Sequence, residues 1–318
     1  MVYTAYMKPA FSLITLGTEG GLHEGNLPAH LLAPLGSTDF ICLDAGVLMD
    51  GLKACANAGC FEGISQAEGL SLEGTVLNRH IKAYLITHTY LDHNQGLASS
   101  SPYDTKKPII SLPSVIDGLR DHIYNWRVWP NFADEGEAPA LGIYKYIRLE
   151  EGRSLDIEGT AMSVEARPLS HGEHTDSTAF IISSGGRQFV YMGDTGPDEV
   201  EGCTKTEDLF LHLVPMIKAG TLHGILLETS YVNERPDNLL FSHLTPNWVM
   251  KALRRLASLV DSSDPEAALR GLNVIITHIK PDHKSGYRPR DVITRQYAEL
   301  NDLNLNFTFL EQGRKYRF

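Results

Sequence analysis

No CxxC pair occurs in the sequence; its four cysteines, Cys42, Cys55, Cys60 and Cys203, are scattered. That spacing excludes a structural zinc knuckle and a dense disulfide framework, and free buried thiols are expected. No window reaches the roughly 18 apolar residues of a membrane span. The start, MVYTAYMKPAFSLITLG, lacks a charged segment followed by an apolar one of signal-peptide type. A soluble, cytoplasmic protein with no membrane partner is therefore expected. Positive charge is also short: 28 Lys+Arg stand against 39 Asp+Glu, a formal net charge of -11, so a nucleic-acid polymer is not an expected partner. A phosphate ester would have to be drawn by something other than net charge, and a bound divalent metal is the usual local source. Neither G-x-S-x-G nor G-x-x-x-x-G-K-[ST] is present, which removes serine-hydrolase and P-loop chemistry.

What is present is a chain of 318 residues, long enough for one large domain or two ordinary ones, with no low-complexity segment, repeat or linker. Short β-type runs open it at 11–16, 29–33 and 40–43, separated by Gly/Pro turns. A helical stretch at 48–56 follows, then strands at 82–86 and 108–112, and a helix over 115–124 started by Pro113. The order then repeats, with strands at 154–157, 161–168, 178–183 and 188–192, the last two joined by the hairpin signal Ser184-Gly185-Gly186. Helices at 209–219, 246–259 and 290–300 alternate with strands at 225–227, 274–276 and 306–310. Two successive groups of strands then helix point to an α+β fold, two mixed sheets packed face to face with helices outside, a four-layer αββα sandwich. The expected domain is a single one over residues 1–318, built of two related halves, about 1–150 and 151–318. The longest irregular stretch, 125–141, carries Trp126 and Trp129. Packing of that loop for its own stability is the preferred reading over stacking on a substrate.

His88, Asp92 and His93, in THTYLDHNQG, lie where a strand ends and a helix begins. Imidazole and carboxylate together suit a borderline divalent ion such as zinc, manganese or iron. A single His-rich turn can be structural. Here three further ligand-type residues each follow a strand: His171 in RPLSHG, Asp194 in VYMGDTGPD and His278 in NVIITHIKP. Singly, Asp194 could be a turn residue and His278 the polar end of a strand; four recurrences of one placement favour a metal centre.

The order H-x-Y-x-D-H, then H, D and H after successive strands, resembles the metallo-β-lactamase fold superfamily. The segments FSLITLGTEGGLHEGNLPAHLL, ICLDAG, ITHTYLDHNQGLASSSP, SHLTP and FLEQGRKYRF resemble the class II cyclic-nucleotide phosphodiesterases over Phe11 to Phe318. The resemblance implies a metal-dependent hydrolase that converts 3′,5′-cyclic AMP or GMP to the 5′-mononucleotide. It implies two divalent sites, zinc being the expected ion: His88 and His171 in the first, Asp92, His93 and His278 in the second, Asp194 bridging both. A hydroxide held between such metals, its pKa lowered toward about 7, would attack phosphorus and expel the 3′ oxygen. Tyr90 departs from the pattern, which has a histidine there as a ligand of the first site. Phenol has a pKa near 10 and is an uncommon zinc ligand, so that site is expected to be weakened, re-ligated or empty.

Asp92 and His243 are the residues expected to act in catalysis, His243 as proton donor to the leaving oxygen. A structural role for the HLTP turn, with Thr245 capping a helix that starts at Pro246, is equally open. His174, three residues after His171, is the nearest imidazole that could be recruited, with contact to substrate or support of a ligand preferred. The tight glycine turn LGTEGG could bring amides to an anion, and Asn26 is a light candidate beside it. The expected partner is a small cyclic nucleotide, and a homodimer stays open. Two alternatives remain: a hydrolase of this fold acting on another small ester or phosphodiester, and a cyclic-nucleotide binder whose catalysis Tyr90 has weakened.

Overall fold

Strands apolar at every position need cover on both faces, and the strands of this chain send alternate residues to two different cores. The computed structural model describes residues 8–173 and 175–318. Its first sheet contains β1 (Phe11–Gly17), β2 (Ala29–Pro34), β3 (Phe40–Leu43), β4 (Ile81–Leu85), β5 (Lys107–Ser111) and β6 (Tyr144–Arg148). Its second contains β7 (Leu155–Asp156), β8 (Ser163–Ser170), β9 (Asp176–Ser184), β10 (Arg187–Met192), β11 (Leu222–Glu228), β12 (Asn273–Thr277) and β13 (Asn306–Phe309). A last strand, β14 (Arg314–Arg317), returns to the first sheet and pairs antiparallel with β1. The strand orders are β14-β1-β2-β3-β4-β5-β6 and β13-β12-β11-β10-β9-β8-β7. Both sheets are mixed in the same way, with β3 to β6 and β10 to β13 parallel and the remaining pairs antiparallel. The helices are α1 (Met49–Asn57), α2 (Leu72–Thr75), α3 (Leu91–Ser100), α4 (Pro113–Gly118), α5 (Asp198–Glu201), α6 (Lys205–Lys218), α7 (Pro246–Val260), α8 (Pro265–Ala268) and α9 (Pro289–Leu300).

The alternation shows in β3, where Ile41 and Leu43 join an inner core with Leu85, Phe180, Tyr191, Leu226 and Ile275 from both sheets. Phe40 and Cys42 turn instead to an outer core with Leu52 and Val115. On the far side, Val190, Ile225 and Val274 pack against Leu213, Met250 and Ile293 of the helices. Three cores separate four layers, helix, sheet, sheet, helix, and each large side chain buried there contributes roughly 1.5–3 kcal/mol. The β9–β10 hairpin is closed by Gly185 and Gly186, at φ 55° and 74°. Two positive φ values match the right-handed twist of the flanking strands, the reason for glycine at both. Pro246 opens α7, and the Thr245 hydroxyl accepts from the Trp248 amide at 3.5 Å.

Two strands escape the sequence reading. β14 reads Arg-Lys-Tyr-Arg, a charged edge strand with little apolar signal, and β6 follows the long loop that masked it. The helix expected over 115–124 is α4 followed by a wider turn over Leu119–Ile123. In the 125–141 loop, the Trp129 indole donates to the Ser101 hydroxyl and the Trp126 indole to the Glu137 and Pro139 carbonyls, so both rings serve the loop's own packing. All four cysteines are free, Cys42, Cys55 and Cys60 buried. Among the described residues no helix is long and apolar enough to cross a membrane. Residues that follow β4, β10 and β12 come together at the carboxyl ends of those strands, the usual place for a ligand beyond parallel strands.

Candidate metal centre

Chain geometry delivers the polar residues to this cluster one strand end at a time. β4 ends at Leu85 and His88 follows; Tyr90 occupies the residue before α3, whose first turn carries Asp92 and His93. His171 follows β8, Asp194 follows β10, and His278 follows β12. Asp44, Ser242 and His278 have φ of 51°, 59° and 58°, left-handed values that cost non-glycine residues energy and cluster at functional sites. Two glycines make room. A Cβ at Gly193 would meet Thr87 Cβ at 2.5 Å, and one at Gly20 would meet the His278 ring at 2.3 Å. LGTEGG is thus a cradle for His278, whose amide donates to the Thr18 carbonyl at 2.8 Å.

One corner of the cluster is complete. His93 Nε2 lies 3.2 Å from both Asp194 Oδ2 and His278 Nε2 and 3.9 Å from Asp92 Oδ2. His278 Nε2 lies 3.0 Å from Asp194 Oδ2 and 3.4 Å from Asp92 Oδ2. Four donors around a tetrahedral ion with bonds of about 2.0–2.1 Å would sit about 3.4 Å apart, so this donor set fits a divalent metal. Each imidazole is also anchored through its other nitrogen. His93 Nδ1 donates to Asp44 Oδ2 at 2.8 Å, and His278 Nδ1 meets the Ser230 hydroxyl at 2.9 Å, the arrangement that orients metal-binding histidines.

The other corner is thinner. His88 Nδ1 meets the Thr87 hydroxyl at 2.9 Å, and its Nε2 is buried without a hydrogen-bond partner. His171 Nδ1 donates to the Ser242 carbonyl at 3.0 Å. Tyr90 is 47% exposed, its ring centroid 5.0 Å and 5.1 Å from the centroids of the His88 and His171 rings and its hydroxyl 3.4 Å from Thr175 Oγ1. Instead, His243 comes together with His171 and Asp194, their donor atoms all within 4.8 Å of one another.

Charge at the cluster is arranged for a cation. Burial would raise the Asp194 carboxyl, but the imidazoles of His278 and His93 hold it well below the usual carboxylate range. Asp92 is likewise held low, against burial, by His93 and His278. Burial would lower His93 and His278, yet the surrounding carboxylates, Asp194 foremost, raise both. A divalent cation answers the same negative charge. Burial dominates at His88 and His171 and pushes both down, which keeps them neutral, the form in which imidazole binds metal.

The model of the family described as "cAMP phosphodiesterases class-II" matches residues 11–313. This chain belongs to that family. A 3′,5′-cyclic-nucleotide phosphodiesterase of Aliivibrio fischeri is 41% identical over 312 residues, covering 97% of this chain and 93% of the relative. A probable 3′,5′-cyclic-nucleotide phosphodiesterase of Yersinia pestis is 35% identical, covering 100% and 92%. Unliganded yeast PDE1 superposes with a TM-score of 0.81 at 23% identity, over 98% of this chain and 100% of that one. The metallo-beta-lactamase fold protein YhfI of Bacillus subtilis gives 0.60 at 12%, over 96% and 99%. These likenesses show the metallo-β-lactamase fold.

Within this class-II chain, sequence reasoning missed the residues that hold the imidazoles. Asp44 accepts from His93 Nδ1, from the Thr87 amide and hydroxyl, and from the Tyr191 hydroxyl. Its only signal was the ICLDAG segment. Glu228 and Ser230 gave none, because their partners are distant in sequence. Asn26 fastens the turn after β1, its side-chain oxygen accepting from the Thr18 amide at 3.0 Å. His174 lies outside the described residues.

Proposed function

We propose that this chain hydrolyses 3′,5′-cyclic nucleotides to 5′-mononucleotides with two divalent ions, zinc by preference. The reading is carried by the convergence of Asp92 and Asp194 on the His93 and His278 Nε2 atoms, at 3.0–3.9 Å, at the strand ends of a class-II chain. His93, His278, Asp92 and Asp194 would hold the second ion, and His88, His171 and Asp194 the first, which lacks the imidazole that position 90 would give. When bound, the ions supply an activated water as nucleophile and charge stabilisation for the phosphoryl oxygens. Asp92, partly exposed beside His278, would accept the proton of the attacking water. His243, its Nδ1 donating to Glu228 at 2.8 Å, keeps Nε2 for the leaving 3′ oxygen. A cytoplasmic location agrees with this substrate, and a homodimer is compatible with it.

The test is turnover of cyclic AMP and cyclic GMP by purified protein reconstituted with zinc, manganese or cobalt, beside a panel of linear phosphodiesters and thioesters. Conversion of a cyclic nucleotide to its 5′-mononucleotide, lost with chelator, is expected. Absence of turnover on both cyclic nucleotides would overturn the reading.

A further inference from the structure

We propose that Glu228 is a positioning residue that orients both the proton donor and a metal-binding imidazole, so that one buried carboxylate sets two parts of the reaction at once. The inference rests on the function proposed above. Glu228 closes β11 and is 1% exposed. One oxygen, Oε1, accepts from His243 Nδ1 at 2.8 Å and from the Thr195 amide, next to Asp194, at 3.2 Å. The other, Oε2, accepts from the Ser230 hydroxyl at 2.6 Å, the Ser230 amide at 3.1 Å and the Leu244 amide at 3.4 Å. All of these partners are donors, and an ionised carboxylate is acceptor-only with about four lone-pair sites. With only donors around it, the acceptor-only form is the one this site satisfies.

Two consequences follow from donor direction. Because the Ser230 hydroxyl donates to Glu228, its oxygen is left to accept from His278 Nδ1 at 2.9 Å. That fixes His278 with its proton on Nδ1 and Nε2 toward Asp92 and Asp194. Because Oε1 accepts the His243 Nδ1 proton, His243 also presents Nε2 to the reaction. With Nδ1–H held by Glu228, Nε2 can donate only after taking up a second proton from solvent; as the bond from phosphorus to the 3′ oxygen breaks, its electron pair stays on that oxygen, the Nε2 proton moves to it, and the ring is left neutral with its Nδ1 proton on Glu228. A glutamine at 228 would turn an amide group toward donors at one end or the other, so it cannot satisfy both sides.

The experiment compares Glu228→Gln, Ser230→Ala and His243→Gln in the full chain with two readouts. The first is zinc affinity by competition with a chromophoric chelator, independent of turnover. The second is the rate on cyclic AMP relative to bis(p-nitrophenyl) phosphate, whose leaving group needs no proton. Ser230→Ala is expected to weaken zinc binding by about 10–100-fold and, because its hydroxyl also lies 3.2 Å from His243 Nδ1, to lower the rate ratio far less than His243→Gln does. His243→Gln is expected to lower the ratio by about 10²–10⁴-fold. Glu228→Gln should show both losses. Equal loss on the two substrates, or unaltered zinc affinity, overturns the proposal. Should Glu228→Gln not fold, Glu228→Asp, which keeps the charge but shortens the reach, must show both effects at smaller size, and wild-type behaviour in either readout overturns it. If the wild type turns over no cyclic nucleotide, the function fails, while the chelator comparison of Glu228→Gln with Ser230→Ala still decides the positioning role.

Discussion

The two corners of the cluster share Asp194 but differ in how far the protein has already assembled them. Around His93 and His278, each imidazole Nε2 lies 3.0–3.9 Å from the Asp92 and Asp194 carboxylates, and both imidazoles are anchored by buried side chains. Around His88 and His171, the anchors are a threonine hydroxyl and a backbone carbonyl, and a half-exposed tyrosine stands at the third position. The contrast is one of position: Tyr90 borders the His88 and His171 rings alone, while the second corner draws its order from β11, β12 and Asp44.

The strongest way to break the contrast is to remove what the corners share. Asp194→Ala should lower cyclic AMP turnover on the order of 10⁴-fold, the several kcal/mol that metal ions supply to charge stabilisation, and metal analysis should find both corners depleted. Retention of two equivalents would refute the bridging role. Asp44→Asn strikes the complete corner alone: zinc affinity there should fall by about 10–100-fold, read by chelator competition, while a weaker phase at the other corner stays put. Tyr90→His should make the corners more alike, raising metal content after dialysis by as much as one equivalent per chain. Tyr90→Phe, which lacks a donor nitrogen, should not.

The smallest expected effect concerns acid stability. Burial, helped by the nearby His93 and His278 imidazoles, pushes His30 down to about 3. An unfolded chain binds that proton below its ordinary value of about 6.5, so stability should fall as pH drops from about 6.5 toward about 3. In thermal melts of metal-free protein, the loss between pH 7 and pH 5 should be smaller for His30→Leu than for the wild type. Equal losses would show that other groups carry the acid sensitivity.

What could be read from residues alone follows from range of interaction. The apolar runs that became β10, β11 and β12 stand out because they are buried on both faces, and the donor-type residues directly after β10 and β12 were legible with them. The layer order followed from the repetition of strands and helices. Asp44, Glu228 and Ser230 were not legible, since each acts on a residue made adjacent only by the sheet: His93 is 49 positions from Asp44, and His278 is 48 from Ser230. β14 was hidden by its charges, which suit an edge strand and mimic a solvated tail.

Gly20 extends the same point to a residue with no functional group. With the His278 ring 2.3 Å from where its Cβ would stand, position 20 acts as a mould for the imidazole, and a single methyl there would be a wedge under it. A substitution that touches neither nucleotide nor ion would then surface as a change in metal retention, so the tolerance of this enzyme to mutation extends less far than its list of reactive side chains implies.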